Sequence, residues 1–259
     1  MTSDNSKRLA KNTLYMYLRM GVSMIVTLFT SRIVLHQLGE VGYGLYNVVA
    51  GIIILFSFIS NTLSSSYFRF ISFAVGENDD EKIKNVFSTT QFINIIIIAL
   101  VIILAETIGL WYVINILNIP SCLKGTTIFV YEISILTVCW NILAVPFSAM
   151  IIAYEKMKLY AYLTLFDVFF KLIIACLLTF VTYKLQFYAL MLCLVSFLVL
   201  IIYYLYCRRL NLLQKLLFKP NGAIIKEIGY FSGWTFYSGV SNVISSQGLN
   251  LLLNYVYGL

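Results

Sequence analysis

The segment from residue 186 to residue 207 contains no charged side chain and is closely flanked by Lys184 and Arg208. An α-helix needs about 20 apolar residues to cross a hydrocarbon layer roughly 30 Å thick. Similar stretches recur along the chain, and they lack the strict alternation of apolar and polar residues that barrel strands require. With 61% hydrophobic and 11% charged residues, the 259-residue chain is predicted to be an all-α protein that crosses a membrane several times.

These apolar stretches predict seven transmembrane helices. Their expected spans are 13–38, 44–75, 86–117, 125–153, 159–183, 186–207 and 229–257. The first 12 residues are polar and basic, but the apolar segment that follows is too long for a signal-peptide core and has no small-x-small cleavage pattern. We therefore expect the first helix to remain in the mature protein.

The positions of Lys and Arg predict the orientation, because short basic loops stay on the cytoplasmic side. If the N-terminus is cytoplasmic, only Lys124 and Lys184 fall in outer loops, whereas the inner ends carry Lys7, Arg8, Lys11, Arg69, Lys82, Lys84, Lys156, Lys158, Arg208, Arg209, Lys215, Lys219 and Lys226. The formal net charge of +7 thus indicates membrane orientation, and no nucleic-acid partner is expected.

The chain is predicted to divide into three parts: a six-helix N-terminal lobe over 1–207, a cytoplasmic linker over 208–228, and the first helix of a second lobe over 229–259. Leucines on one face of the linker favour an amphipathic helix on the inner leaflet, although a plain linker is equally compatible with the pattern. A weak repeat pairs residues 21–23 with 239–241, both Gly-Val-Ser. We expect the chain to be the N-terminal portion of a two-lobed protein.

Polar residues form stripes on the first two helices, because steps of three and four residues stay on one helix face. The stripes are Arg19, Ser23, Thr27 and Thr30 on the first helix, and Ser57, Asn61, Ser65, Arg69 and Ser72 on the second. Two interpretations of the arginines remain open. Each side chain either extends to the inner headgroups, or both face a shared wet cavity where planar guanidinium groups would bind a phosphate.

The fifth predicted helix carries Tyr160, Thr164, Asp167 and Lys171 on one face, with Lys171 near mid-membrane. Ionisable groups at this depth are costly and usually face a bundle interior or a cavity. Asp167 precedes Lys171 by four residues, which is the favourable order for an ion pair within a helix. The pair is either structural, or it takes part in binding or ion coupling.

Other chemistry has little support in the sequence. The five cysteines are scattered and His36 is the only histidine, so neither a metal centre nor a cofactor is expected. Gly39, Gly42 and Gly44 do not match a nucleotide-binding fingerprint and are predicted to turn the chain between the first two helices. The outer loop at 118–124 has no carboxylates for acid-base or metal chemistry, which argues against an enzyme such as a membrane glycosyltransferase.

Five sequence blocks together carry a resemblance to a known family. They are LGEVGYGLYNVV (38–49), NTLSSSYFRFISFAVGENDDEKIKNVFS (61–88), ETIGLW (106–111), NILAVPFSAMIIAYEKMKLYAYLTLFD (141–167) and GLNLLLNYVYG (248–258). In order and spacing, the chain resembles the Wzx-type polysaccharide-biosynthesis flippases of the MOP superfamily, which also contains the MATE drug exporters.

The resemblance implies a two-lobed bacterial inner-membrane transporter that inverts polyprenyl-diphosphate-linked oligosaccharides for O-antigen or capsule-like polysaccharides. Its other expected partners are membrane lipids and the polysaccharide polymerisation machinery. Arg19, Ser23, Thr27, Asn61, Ser65 and Arg69 would then face a cationic cavity between the lobes, with Asp167 and Lys171 inside the first lobe. The alternatives are a MATE-type cation-coupled exporter of drugs or small molecules, and a half-size membrane scaffold.

Overall fold

A computed structural model describes residues 2–115, 123–209 and 220–238, and nearly all of them are helical. The α-helices are α1 (Thr2–Gly76), α2 (Asp80–Leu104), α3 (Leu110–Asn115), α4 (Lys124–Ala153), α5 (Met157–Leu177), α6 (Lys184–Arg209) and α7 (222–238). A π-helical turn, Ala105–Gly109, joins α2 to α3, and a 3-10 turn, Leu178–Phe180, follows α5. The described part of the chain thus has the all-α architecture that the apolar stretches predict.

Helix α1 consists of two arms that meet at Gly39. This residue has φ 70° and ψ 174°, a conformation outside the helical region that only glycine adopts without strain. The two arms, residues 2–38 and 40–76, contain the predicted first and second helices. Of the three glycines expected to turn the chain here, only Gly39 departs from helical geometry.

Helix α2 begins at a polar turn that the sequence GENDD encodes. The Asp79 carboxylate accepts hydrogen bonds of 3.0 Å from the backbone N–H groups of Glu81 and Lys82, which caps the helix. Beside the cap, Lys82 forms an ion pair with Glu77. The end of α1 and the beginning of α2 therefore form one ordered, charged edge of the lobe.

Five helical stretches within the described residues are long and apolar enough to cross a membrane. They are Ala10–Gly39, Asp80–Asn115, Lys124–Ala153, Met157–Phe180 and Lys184–Arg209. Helix α4 lies at the centre of the lobe, since 56% of its most apolar window is buried, against 17–33% for the other four stretches. The chain is thus a multi-pass membrane protein built around α4.

Helix α4 continues through Pro146, which has no N–H to donate to the carbonyl of Ile142 four residues earlier. The side chain of Asn94 on α2 supplies the missing donor, with its Nδ2 2.7 Å from that carbonyl oxygen. Tyr67 on α1 then donates its hydroxyl to Asn94 Oδ1 at 2.8 Å. The three residues are fully buried and join α1, α2 and α4 through one polar cluster.

A second polar contact stabilises the π-helical turn near the opposite end of the lobe. The Tyr131 hydroxyl donates to the carbonyl oxygen of Ala105 at 2.8 Å, and the backbone N–H of Leu110 bonds to the same oxygen. A side chain at Gly109 would collide with the Tyr131 hydroxyl. The glycine therefore leaves the space in which the tyrosine reaches the π-helical backbone.

Helix α7 begins at residue 222, within the predicted linker and before the predicted start at residue 229. The leucines on which the amphipathic helix was predicted lie at 210–217, outside the described residues, as do 239–259. The division into a lobe, a linker and a second lobe accordingly stays a prediction.

Candidate functional site

A cavity of about 760 Å³ lies between the two arms of α1 and the turn from α4 to α5. Its polar lining includes Asn12, Thr13, Arg19, Ser72 and the exposed Glu155. Its apolar lining includes Met16, Tyr17, Met20, Phe68 and Ile152. The cavity lies near the basic segments at 82–84 and 156–158, at the end of the lobe that the charge pattern predicts to be cytoplasmic.

Two polar atoms on the cavity wall are buried without a hydrogen-bond partner among the described residues: Arg19 Nε and Ser72 Oγ. Buried polar groups are nearly always paired, so each such exception points to strain, to a bound water or to a ligand. The Arg19 guanidinium lies over the Tyr160 ring, 5.1 Å from its centroid, which orients a half-buried cation at the wall. The wall can therefore donate hydrogen bonds to an anion.

The other residues predicted on the first stripe do not lie on this wall. Ser23 is half-buried and is not among the residues that line the cavity. Thr27 lines a separate cavity of about 240 Å³, and Thr30 is buried with its hydroxyl donating to the carbonyl of Val26. The structure thus distributes the predicted stripe over two cavities.

On the second stripe, Asn61, Ser65 and Arg69 are exposed. Ser65 donates its hydroxyl to the backbone carbonyl of Asn61 at 3.2 Å. Arg69 is not among the residues that line the Arg19 cavity, although Phe68 and Ser72 beside it are. Its guanidinium carbon lies 4.3 Å from the ring centroid of Phe231 on α7. A common cavity for Arg19 and Arg69 stays a prediction.

Asp167 and Lys171 on α5 form an ion pair with an O–N distance of 2.7 Å. Lys171 also lines two cavities of about 240 and 220 Å³, and Tyr46 and Tyr188 line the same two. The two tyrosine rings meet edge to face with centroids 5.3 Å apart. The ion pair therefore contacts a polar interior of the lobe, and its role in coupling stays a prediction.

Several residues of the site escaped the sequence analysis, namely Asn12, Thr13, Tyr17 and Glu155. Asn12 precedes the first predicted helix, Thr13 and Tyr17 are exposed near its beginning, and Glu155 lies in a loop, so none of them was assigned to a polar stripe. Tyr160 was placed on the α5 stripe, but its contact with Arg19 could not be predicted from helix periodicity. Among the described residues, no three His, Cys, Asp or Glu side chains lie close enough to hold a metal ion.

No protein-family model matches this sequence, and no curated protein matches it either. Solved structures of similar shape do exist. An outward-facing multidrug resistance MATE family transporter of the MOP superfamily superposes with a TM-score of 0.73 at 14% identity, covering 94% of this chain and 55% of that one.

Two further structures agree. A MOP superfamily transporter from Pyrococcus furiosus, described as having a binding pocket of reverse polarity, gives a TM-score of 0.70 at 14% identity over 94% of this chain and 56% of its own. A MATE protein in complex with MaD3S gives 0.66 at 15% identity over 96% and 57%. The predicted MATE/MOP-like fold is thus confirmed, and the chain spans about half the length of these proteins.

Proposed function

We propose that this chain forms one lobe of a membrane transporter that moves a polyprenyl-diphosphate-linked oligosaccharide from the cytoplasmic to the outer leaflet. The glycan would serve O-antigen or capsule-like polysaccharide synthesis in a bacterial inner membrane. The observation that carries the proposal is the half-buried Arg19 on a cavity wall, with its Nε unpaired among the described residues. We propose no catalytic chemistry for the chain.

The polar part of the cavity suits a diphosphate. A guanidinium donates parallel hydrogen bonds to phosphate oxygens, and these are stronger than bonds between neutral groups. Ser72 can add a hydroxyl donor, and Asn12 and Thr13 lie on the same lining. The Glu155 carboxylate is exposed, so water screens its repulsion of an anion.

The apolar part of the cavity suits a prenyl chain. Tyr17 and Met20 line the cavity and are also 66% and 59% exposed on the outer face of α1. This face continues with the exposed apolar residues Leu14 and Leu18, which a membrane-spanning helix presents to lipid. A headgroup in the cavity therefore has a continuous apolar surface beside it for its tail.

The similar solved structures support a transporter, and their greater length supports a second lobe opposite this one. Rocking of two lobes would expose the bound headgroup first to one side of the membrane and then to the other. An ion gradient could drive this motion through Asp167, which is ion-paired to Lys171 beside the polar interior.

A MATE-type exporter of cationic drugs is the second candidate, because a multidrug resistance MATE transporter shares the fold. The Pyrococcus furiosus protein is described as having a pocket of reverse polarity that suggests a different function, so pocket charge varies within this fold. In the present chain the cationic Arg19 favours an anionic substrate over a cationic one.

The test is transport of a fluorescent polyprenyl-diphosphate oligosaccharide into proteoliposomes that contain the full-length transporter, of which this chain is proposed to form one lobe. Arg19→Ala is expected to lower the transport rate at subsaturating substrate about 10- to 100-fold, because a hydrogen bond to a charged group contributes about 1.5–3 kcal/mol. Arg32→Ala is the matched control, since Arg32 is exposed on the same arm and does not line the cavity. Unchanged transport by Arg19→Ala, or efflux of a cationic dye with no glycan transport, would contradict the proposal.

A further inference from the structure

Helix α7 is bound to the first lobe at the same end as the Arg19 cavity. The Ser232 hydroxyl donates to that of Ser66 at 2.9 Å, and the backbone N–H of Asn221 donates to the Thr89 hydroxyl at 3.2 Å. Ile228 is 1% exposed and belongs to the main core of the lobe. The beginning of α7 thus packs as part of the first lobe in this conformation.

Arg69 makes a further contact between the first lobe and α7. Its guanidinium carbon lies 4.3 Å from the ring centroid of Phe231, and that ring also contacts Phe70 edge to face at 6.2 Å. Arg69 is nevertheless exposed to solvent. A cation-π contact of an exposed arginine is weak, so a stronger acceptor can replace the aromatic ring.

The Arg19 cavity lies within one helical turn of Arg69. Phe68 precedes Arg69 in the chain, Ser72 is on the same helix face three residues later, and both line the cavity. The Arg69 side chain contacts the Phe231 ring here, and an anion that bound beside Ser72 would offer it a second partner. Oxygens of a diphosphate accept charge-assisted hydrogen bonds that exceed the cation-π contact in strength.

We infer that Arg69 and Phe231 form a ligand-operated latch between α7 and the first lobe. When a diphosphate group occupies the Arg19 cavity, Arg69 turns from Phe231 to the phosphate and the junction at Ser66 and Ser232 loosens. The inference rests on the proposed function, because it takes the same anion as ligand. Beyond that function, it proposes that ligand binding in the Arg19 cavity weakens the attachment of α7 to the first lobe.

Linkage makes the latch reciprocal. If the anion weakens the contact between Arg69 and Phe231, that contact must weaken binding of the anion by the same factor. Removal of the ring is therefore expected to raise the affinity for a diphosphate, since Arg69 no longer has to leave a partner. A purely structural contact would leave that affinity unchanged.

The experiment measures disulfide formation between Ser66→Cys and Ser232→Cys in the purified protein, with the cross-linked peptide pair identified by mass spectrometry. The serine oxygens lie 2.9 Å apart, so cysteines there are within disulfide range. Farnesyl diphosphate is the probe, farnesol is the control for the tail, and inorganic pyrophosphate is the control for the headgroup. Binding of radiolabelled farnesyl diphosphate is measured on the same samples.

Farnesyl diphosphate is expected to slow cross-linking about fivefold or more, the lower range of allosteric coupling, whereas farnesol has no effect. Arg69→Gln should make cross-linking insensitive to the probe, and the exposed Arg32→Gln should leave the response intact. Phe231→Leu, in a chain without added cysteines, should bind the probe several-fold more tightly. This last measurement does not depend on the folding of the cysteine variant.

Arg19-dependent binding without a change in cross-linking, or with unchanged affinity in Phe231→Leu, would overturn the latch and leave the proposed function intact. A response that persists in Arg69→Gln would remove Arg69 from the latch. If the unmodified protein does not bind farnesyl diphosphate, both the latch and the proposed function fail.

Discussion

The polar cluster at Asn94 and the wall of the Arg19 cavity both include polar side chains of α1, but they differ in pairing. Asn94 uses its amide to join the Tyr67 hydroxyl and the Ile142 carbonyl, with bonds of 2.8 and 2.7 Å. On the cavity wall, Arg19 Nε and Ser72 Oγ are equally hidden and have no partner among the described residues.

The difference in hydrogen-bond pairing indicates which polar side chains stabilise the fold and which are available to bind a ligand. A buried donor or acceptor that loses its partner costs about 1–3 kcal/mol, so a paired cluster makes its greatest contribution to folding. A polar atom without a partner among the described residues contributes little to folding, and on a cavity wall it is open to a partner that enters the cavity. We therefore expect the paired cluster to govern stability and the cavity wall to govern binding, and three sets of variants test that division.

The largest effect on stability is expected for Asn94→Ala. The change leaves the Tyr67 hydroxyl without its acceptor and the Ile142 carbonyl without a donor, because Pro146 cannot supply one. The expected loss in the free energy of unfolding is about 2–4 kcal/mol, measured by thermal or denaturant unfolding in lipid or detergent micelles.

Asn61→Ala is the control for this variant, since Asn61 is exposed on the neighbouring arm of α1. A surface change of this kind alters stability by about 0.5 kcal/mol or less. If the two asparagine variants unfolded at the same denaturant concentration, the buried cluster would have no special role.

An intermediate effect is expected for Asp167→Asn, because the ion pair with Lys171 is only part-buried. The two side chains are 26% and 40% exposed, so some of the cost of an unpaired ammonium is relieved by water in the adjoining cavities. We expect a loss of about 1–3 kcal/mol, partly recovered in the double variant Asp167→Asn with Lys171→Met, which removes both charges.

Glu77→Gln breaks a more exposed ion pair, that of Glu77 with Lys82, whose side chains are 51% and 45% exposed. Exposed pairs contribute about 0–1 kcal/mol, so this control should change stability little. A double variant of Asp167 and Lys171 that is no more stable than Asp167→Asn would show that the unpaired Lys171 ammonium is not the cause of the loss.

Within the described residues the sequence predicts the helices well, because their length and apolarity are local properties. Gly39, too, was placed correctly between two helices, since its freedom at positive φ is a property of one residue. The Asn94 cluster was missed because its members are 27 and 48 residues apart in the chain. The sequence does contain a signal for this cluster. Pro146 leaves the Ile142 carbonyl without its usual helical donor, and Asn94 is a polar residue in an otherwise apolar run.

The candidate site was predicted in part for the same reason. Helix periodicity placed Arg19 on a polar stripe, but it could not show that Tyr160 lies under its guanidinium or that Arg69 contacts Phe231. Those contacts join helices far apart in sequence, and their geometry depends on how α1, α5 and α7 pack. The second stripe contains Ser72, yet only the packed structure shows that its hydroxyl is buried without a partner among the described residues.

The smallest effect on stability is expected for Ser72→Ala. Its hydroxyl is buried but unpaired among the described residues, so removing it should leave the free energy of unfolding within about 0.5 kcal/mol of the original or slightly raise it. Ser66→Ala is a matched variant on the same arm, because the Ser66 hydroxyl donates to the Thr62 carbonyl and accepts from Ser232. It should lose about 1 kcal/mol. For binding of farnesyl diphosphate, we expect the larger effect in Ser72→Ala. This variant removes a donor at the proposed anion site and should weaken binding several-fold. Unweakened binding in Ser72→Ala, or the same loss of stability in both serine variants, would mean that pairing does not distinguish the cavity wall from the core.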